Sequence, residues 1–217
     1  LSPGIGPVRA AFVDFAVQHR DDAQLAGLLE SEASLEADKN RAARLELDAA
    51  LAHLRAGTDR VRIVKVLERA HGRAPTAPSV DLRVAEELAR LYDDDGRHGD
   101  ALRVRKAALK WLDDPREELV ALRAIATSAE RAGEIDAAVL ALERARVVDA
   151  EDPTLLVDLD RLLTTAKRHE ARAVLWMREA ARVDDPAKKA RALLASADAA
   201  RAGGREADAA KQREAAW

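Results

Sequence analysis

Between Leu82 and Leu109 the chain reads LRVAEELARLYDDDGRHGDALRVRKAAL, and this stretch limits the possible folds more than any other. The spacing predicts a helix, a tight turn at Gly96 and a second helix running back along the first. Leu88, Ala89, Tyr92, Ala101, Ala108 and Leu109 fall where the two helices would touch. The same plan recurs on both sides, with turn residues at Gly57, Gly96, Gly133, Lys167 and Gly204, spaced by 39, 37, 34 and 37 residues. A chain that repeats one supersecondary unit at this period buries its apolar faces only by stacking the units.

Composition agrees with close helix packing. Hydrophobic residues make up 48% of the 217, aromatics only 3%, and alanine alone supplies roughly a fifth. Any core must therefore come from backbones brought close by small side chains, and alanine is also the strongest helix former. Charged residues are 35% and nearly balanced, with a net charge of -3. That argues against a field suited to nucleic acid or an acidic membrane, and for a helical surface laced with opposite charges. The absence of cysteine excludes disulfides, thiolate metal sites and a cysteine nucleophile. No apolar run has the length of a membrane span. The N-terminal LSPGIGPVRAAFVDF lacks the pattern of a signal peptide, which favours a cytoplasmic location. The missing initiator Met leads us to expect a segment of a longer protein.

In chain order, Val8, Phe12, Phe15 and Ala16 predict a first helix over Ile5 to His19. Asp21-Asp22 caps a second, with Leu25, Leu28 and Leu29 inward, and Asp38 a third, Lys39 to Ala56. Thr58 or Asp59 opens the fourth, with Val61, Val64, Leu67 and Ala70 inward. The GRAPTAPS stretch at 72–79 reads as a long connection or a joint. Ser79 or Asp81 opens the central pair. A further pair starts near Pro115 and runs to Ala132, then from Glu134 to about Val148. Asp152-Pro153 and Asp185-Pro186 open the last two pairs, each proline in a favoured first-turn position. The total expected is twelve helices in six pairs.

The repeat resembles the tetratricopeptide (TPR) family. The resemblance covers about residues 5–217 and is best over 82–150. The family's small first-helix residue is met by Ala50, Ala89, Ala126 and Ala197, with Leu88, Ile125 and Leu159 at the bulky position before it and Tyr92 as the family's tyrosine. Its second-helix alanines are met by Ala101, Ala138 and Ala209, then Ala108, Ala145 and Ala216. The sequence departs from the pattern at Asp160, Lys167, Arg62 and Arg172, and the family's first-helix Trp is absent. The Ala- and Arg-rich style looks bacterial. The resemblance implies an all-α fold, an α-α superhelix (a TPR-like solenoid) of about six helix-turn-helix units. It would be a single solenoid over 1–217, with weaker units at 5–74 and better-matching ones at 79–217, and with first helices lining a concave face.

Chemistry-bearing motifs are weak. His19, His53, His71, His98 and His169 lack metal-ligand spacing, and His98 and His169 occupy equivalent places after their turns. Asp93-Asp94-Asp95 reads as a solvated helix end. The serines lack a nucleophile-elbow context, and no glycine loop is placed to cradle phosphate. The expectation is a non-enzymatic scaffold with no cofactor and no metal.

On the family's plan the binding groove is sought on the first-helix face. Candidates are Arg83, Glu86, Arg90, Arg123, Thr127 and Arg161, flanked by Arg44, Leu47, Leu51 and Arg55 earlier and by Val157, Thr164, Leu194, Asp198 and Arg201 later. Arg90, Arg123 and Arg161 would form a basic stripe suited to an acidic peptide or protein, since arginine binds carboxylates bidentately. The bland alternative is that they pair with Glu86, Glu130 and Asp158 nearby. The expected partner is a protein or peptide, not nucleic acid or membrane, and a homodimer through a terminal repeat is a further expectation. The rival reading is a regulatory or sensor segment of a larger multidomain protein, packed on a neighbouring domain.

Overall fold

The computed structural model describes residues 21–73 and 76–216, and among them it contains eleven α-helices, one 3₁₀ turn and no strand. The helices are α1 (Asp22–Leu35), α2 (Lys39–Arg55), α3 (Arg60–Gly72), α4 (Pro78–Asp94), α5 (His98–Ala108), α6 (Pro115–Arg131), α7 (Ile135–Val148), α8 (Pro153–Thr165), α9 (His169–Arg182), α10 (Pro186–Ala202) and α11 (Glu206–Glu214). The helix expected over Ile5 to His19 lies outside the described residues. The chain forms two compact units, Leu1–Glu117 and Glu118–Trp217, and the 72–79 stretch falls inside the first.

Six helix starts, those of α1, α2, α4, α6, α8 and α10, have a local cause in a capping aspartate or a leading proline. Asp21, Asp38, Asp114, Asp152 and Asp185 accept backbone N–H groups from Gln24, Arg41, Arg116, Thr154 and Ala187 at 2.8–3.0 Å. These aspartates satisfy donors that the first helical turn leaves open. Prolines lead α4, α6, α8 and α10, where a missing N–H costs nothing.

Five turns between paired helices share one geometry. The N–H groups of Gly57, Gly96, Gly133, Lys167 and Gly204 donate to the carbonyl three residues back. The N–H groups of Thr58, Arg97, Glu134, Arg168 and Arg205 donate to the carbonyl five residues back, at 2.8–3.0 Å. This double closure is the Schellman motif and requires a left-handed residue at the pivot. The pivots have φ between 66 and 78° at the four glycines and 56° at Lys167.

Beside the turns the predicted small residues meet. Ala50, Ala89 and Ala197 on first helices, and Ala101 and Ala138 on second helices, are fully buried, and Ala126 and Ala209 nearly so. In unit 1, α2 packs on α1 and α3, and α4 packs on α3 and α5. The core there joins Leu47, Val66, Leu67, Val84, Leu88 and Tyr92. In unit 2, α10 packs on α9 and α11, and α8 on α7 and α9. This is the all-α, TPR-like helix-turn-helix plan that the sequence resemblance implies. Two expectations fail: Leu47, sought on the exposed groove face, is only 2% exposed and lies in the core of unit 1, and Val61, expected to face inward from α3, is 57% exposed.

An alanine-rich contact buries little apolar area per residue, and each missing methylene forgoes about 0.8 kcal/mol. Unit 1 supplements it with a charged network. Arg73 clasps the buried Glu46 through Nε at 2.7 Å and Nη2 at 2.9 Å, joining α2 to the end of α3. Its guanidinium pKa is raised by that carboxylate. Arg62 and Arg69 on α3 donate to Glu30 on α1 at 2.9 and 2.7 Å. His53 on α2 donates to the same carboxylate through Nε2 at 2.7 Å. Burial works to raise the Glu30 pKa, but the bonds from His53, Arg69 and Arg62 outweigh it and hold it at about 2. An ionised carboxylate cannot donate, so His53 Nε2 carries a proton, and Nδ1 lies 3.1 Å from the Thr58 hydroxyl.

Candidate functional site

The predicted groove residues divide between the units. Arg83, Glu86 and Arg90 lie on α4 of unit 1, and Arg123, Thr127 and Arg161 lie on α6 and α8 of unit 2.

On α4, helical spacing sets the contacts. Arg83 and Arg90 sit four residues before and three residues after Glu87, and both reach it, at 3.4 and 3.0 Å. Arg83 lies 3.8 Å from Glu86, which is largely exposed. The partner of Arg90 is thus Glu87, not Glu86.

On unit 2 the arginines tie first helix to first helix. Arg161 of α8 grips Glu130 of α6 bidentately, at 2.5 and 2.8 Å. Each holds the other's charge: the Glu130 pKa is lowered by the hydrogen bond from Arg161, and the Arg161 pKa is raised by the same bond. Arg123 of α6 donates to the capping carboxylate Asp152 and, at 2.8 Å, to the Thr154 hydroxyl. The Thr127 hydroxyl turns back to the Arg123 carbonyl at 3.0 Å. Arg90, Arg123 and Arg161 each already have a carboxylate partner, so none is the free cation that the expected stripe called for.

Apolar groups interrupt that charged surface. Val157 on α8 is 62% exposed and Leu194 on α10 is 39% exposed. Both stand ten residues before their turn pivots, Lys167 and Gly204, so they are equivalent positions in successive first helices. Arg123 holds the same position on α6. Sequence reasoning placed these residues on the face, and their exposure is what the structure adds.

A charged recess of unit 2, about 440 Å³, lies where α7 and α9 end and α8 and α10 begin. Its buried Glu179 accepts from Arg146 at 2.6 Å and from Arg182 at 2.9 Å. The bond from Arg182 is the main reason its pKa is lowered. Every carboxylate with a shifted pKa (Glu30, Glu130, Asp152, Glu179, Asp185) moves down, toward a fixed anion. A general acid near neutral pH needs the opposite shift.

The aspartate triplet is only partly a solvated helix end. Asp93 accepts from Arg105 at 2.5 Å and pairs with His98 Nδ1 at 3.0 Å, closing α4 onto α5. His169 packs against the end of α10, where a Cβ added to Gly203 would meet its Cβ at 3.1 Å. Among the described residues no cluster of His, Asp and Glu is arranged to hold a metal ion, and no helix is long and apolar enough to cross a membrane.

No protein-family model matches the sequence, and no curated protein matches it. Solved structures do resemble the fold. The crystal structure of MamA protein is matched at 17% identity and a TM-score of 0.47, over 80% of this chain and 89% of that one. The putative kinesin light chain of Podosopora anserina, described as nearly identical TPR-like repeats, is matched at 18% and 0.44, over 83% and 95%. PlcR of Bacillus thuringiensis, solved with the peptide PapR7 and DNA, is matched at 11% and 0.42, over 98% and 76%.

Proposed function

We propose that this chain is a protein-interaction module, without chemistry of its own, that holds a peptide or partner-protein segment on its first-helix faces. The observation that carries the reading is the pair Val157 and Leu194, exposed at equivalent positions of successive first helices. Aliphatic side chains in register, bordered by ion pairs, supply anchor points with a polar rim, which is the usual anatomy of a recognition surface. The ion pairs then act as fixed, pre-oriented groups: Arg161 and Glu130 already hold one geometry, and a partner need not order them. Donors of Arg90, more than half exposed on α4, add a basic contribution in unit 1 and suit an acidic partner.

The test is affinity capture from lysate of the source organism with three baits: wild type, a Val157→Ser/Leu194→Ser/Arg161→Gln variant and a Met177→Ser variant, all checked for helicity. A partner retained by wild type and by Met177→Ser, and lost from the triple variant, supports the reading. Equal retention by the triple variant refutes the face assignment.

A further inference from the structure

A second recess in unit 2 lies on the opposite type of helix, between α9 and α11, and has about 300 Å³ of space. It exists because its floor is made of Ala173 and Ala200, both buried, and because α11 reads EADAAKQRE and offers no large apolar side chain to fill the furrow. The opposite wall is apolar and open: Val174 and Met177 on α9 are each about two-fifths exposed. On α7, Leu140 is even more exposed. Leu140 and Val174 each stand seven residues after their turn pivots, and α7 and α9 are held side by side by Arg168–Asp136 at 2.8 Å and Arg146–Glu179 at 2.6 Å.

The charges lining the recess are of one sign. Arg178 and Arg205 border it, and no carboxylate does. Arg205 is engaged by Asp208 at 2.6 Å and Glu170 at 3.3 Å. Arg178 is largely exposed, makes no hydrogen bond among the described residues, and forms only a long ion pair with Glu143, at 3.9 Å. Gln212 lines the other wall, and its buried Oε1 accepts no hydrogen bond among the described residues. An apolar furrow with a flexible methionine, an available guanidinium and an unused acceptor matches one kind of occupant.

We propose that the furrow between α9 and α11 docks a peptide segment of a partner protein that combines a bulky apolar anchor with neighbouring carboxylates. The anchor fills the space against Val174 and Met177, and a carboxylate pairs with Arg178. This surface is separate from the first-helix face and stands without it.

The experiment is selection of a random-peptide phage library on the full chain, followed by fluorescence anisotropy with the enriched peptides. Enrichment of an aromatic or leucine anchor beside Asp or Glu is expected. Affinity should fall at least tenfold in Met177→Asp and severalfold in Arg178→Glu, with circular dichroism confirming that both variants keep their helices. Val157→Ser/Leu194→Ser should bind the same peptides as wild type. The proposal is overturned by enriched peptides without acidic residues, by a lack of enrichment, or by binding lost in Val157→Ser/Leu194→Ser and kept in Met177→Asp. Self-association that Met177→Asp abolishes, seen by analytical ultracentrifugation, also overturns it, since the occupant would then be a second copy.

Discussion

Arg172 reaches across its hairpin to donate to both carboxylate oxygens of Asp160, through Nε at 2.6 Å and Nη2 at 3.1 Å. At the equivalent positions, seven residues before and five after the pivot, three of the other four turns carry alanine on both helices. The two departures from the repeat are therefore one exchange: an ion pair in place of an alanine contact. Trp176 Nε1 also donates to Asp160, at 2.5 Å.

A double-mutant cycle at Asp160 and Arg172 follows. Either single alanine variant strands a half-buried charge and is expected to lose about 2 kcal/mol. The double alanine variant restores the pattern of the other turns, so it should lose clearly less than the sum of the singles, with a coupling of about 1–2 kcal/mol. Urea unfolding of the three variants checks this, and additive losses would show that the pair is not a unit.

Lys167 is the only non-glycine residue with positive φ among the described residues. A side chain in that region costs about 1–2 kcal/mol, offset in part by the extra unfolded-state entropy of glycine. Lys167→Gly should therefore stabilise the chain by about 0.5–1 kcal/mol. Gly96→Ala is the mirror case. Its added Cβ would meet no atom within 4 Å, so its loss of about 1 kcal/mol would be purely conformational. Thermal and urea unfolding of both variants should move in opposite directions.

Glu30 makes stability depend on acid. Its ordinary value of 4.5 falls to about 2 in the fold. Above about pH 5 the carboxylate is ionised in both states and its full contribution is present. As pH drops from there toward 2, the unfolded chain takes up the proton first, so the contribution fades and is gone below 2. Allowing for solvent screening, the loss is about 2 kcal/mol. Glu30→Gln should be less stable at neutral pH and show a shallower decline between pH 5 and 2, read by denaturant midpoints across that range.

Tyr92 gives the alkaline counterpart. Burial, joined by the Glu68 carboxylate to which its hydroxyl donates at 2.7 Å, pushes its pKa up to about 12, with Arg97 opposing. From pH 10 upward the unfolded chain loses this proton while the folded chain keeps it, so stability falls with rising pH. Tyr92→Phe should cost about 1 kcal/mol at pH 7 and flatten the decline between pH 10 and 12. Stability curves of the two proteins at pH 7 to 11.5 make the comparison.

The turns and the alanine contacts were legible in the sequence because each follows from a local backbone demand. A left-handed pivot calls for glycine, and close helices call for small residues at fixed offsets from it. Lys167 could still be placed, since Leu159 eight residues before it and His169 two residues after it keep the repeat's spacing although Asp160 and Arg172 replace the small residues. Partnerships between neighbouring hairpins were less legible. Arg62 stands where alanine was expected and finds Glu30 a full helix pair away, and Arg123 finds Asp152 before the next first helix. Such pairs depend on how neighbouring hairpins register, which no single repeat encodes. Leu47 was misplaced for the same reason: its offset matches Glu86 and Arg123 on other first helices, yet in unit 1 it is covered. The furrow beside Met177 was invisible because it arises from side chains that α11 lacks.

The five turns are closed by main-chain amides and carbonyls, with only the pivot constrained in identity. Chain reversal is thus separated from what the flanking helices display. Residues such as Arg123, Val157 and Leu194, one position in three successive first helices, can be arginine, valine or leucine without disturbing the hairpin beneath. The scaffold behaves like a frame with interchangeable panels: selection can rewrite the outward lettering of one unit, and so its choice of partner, while the joinery stays as it was.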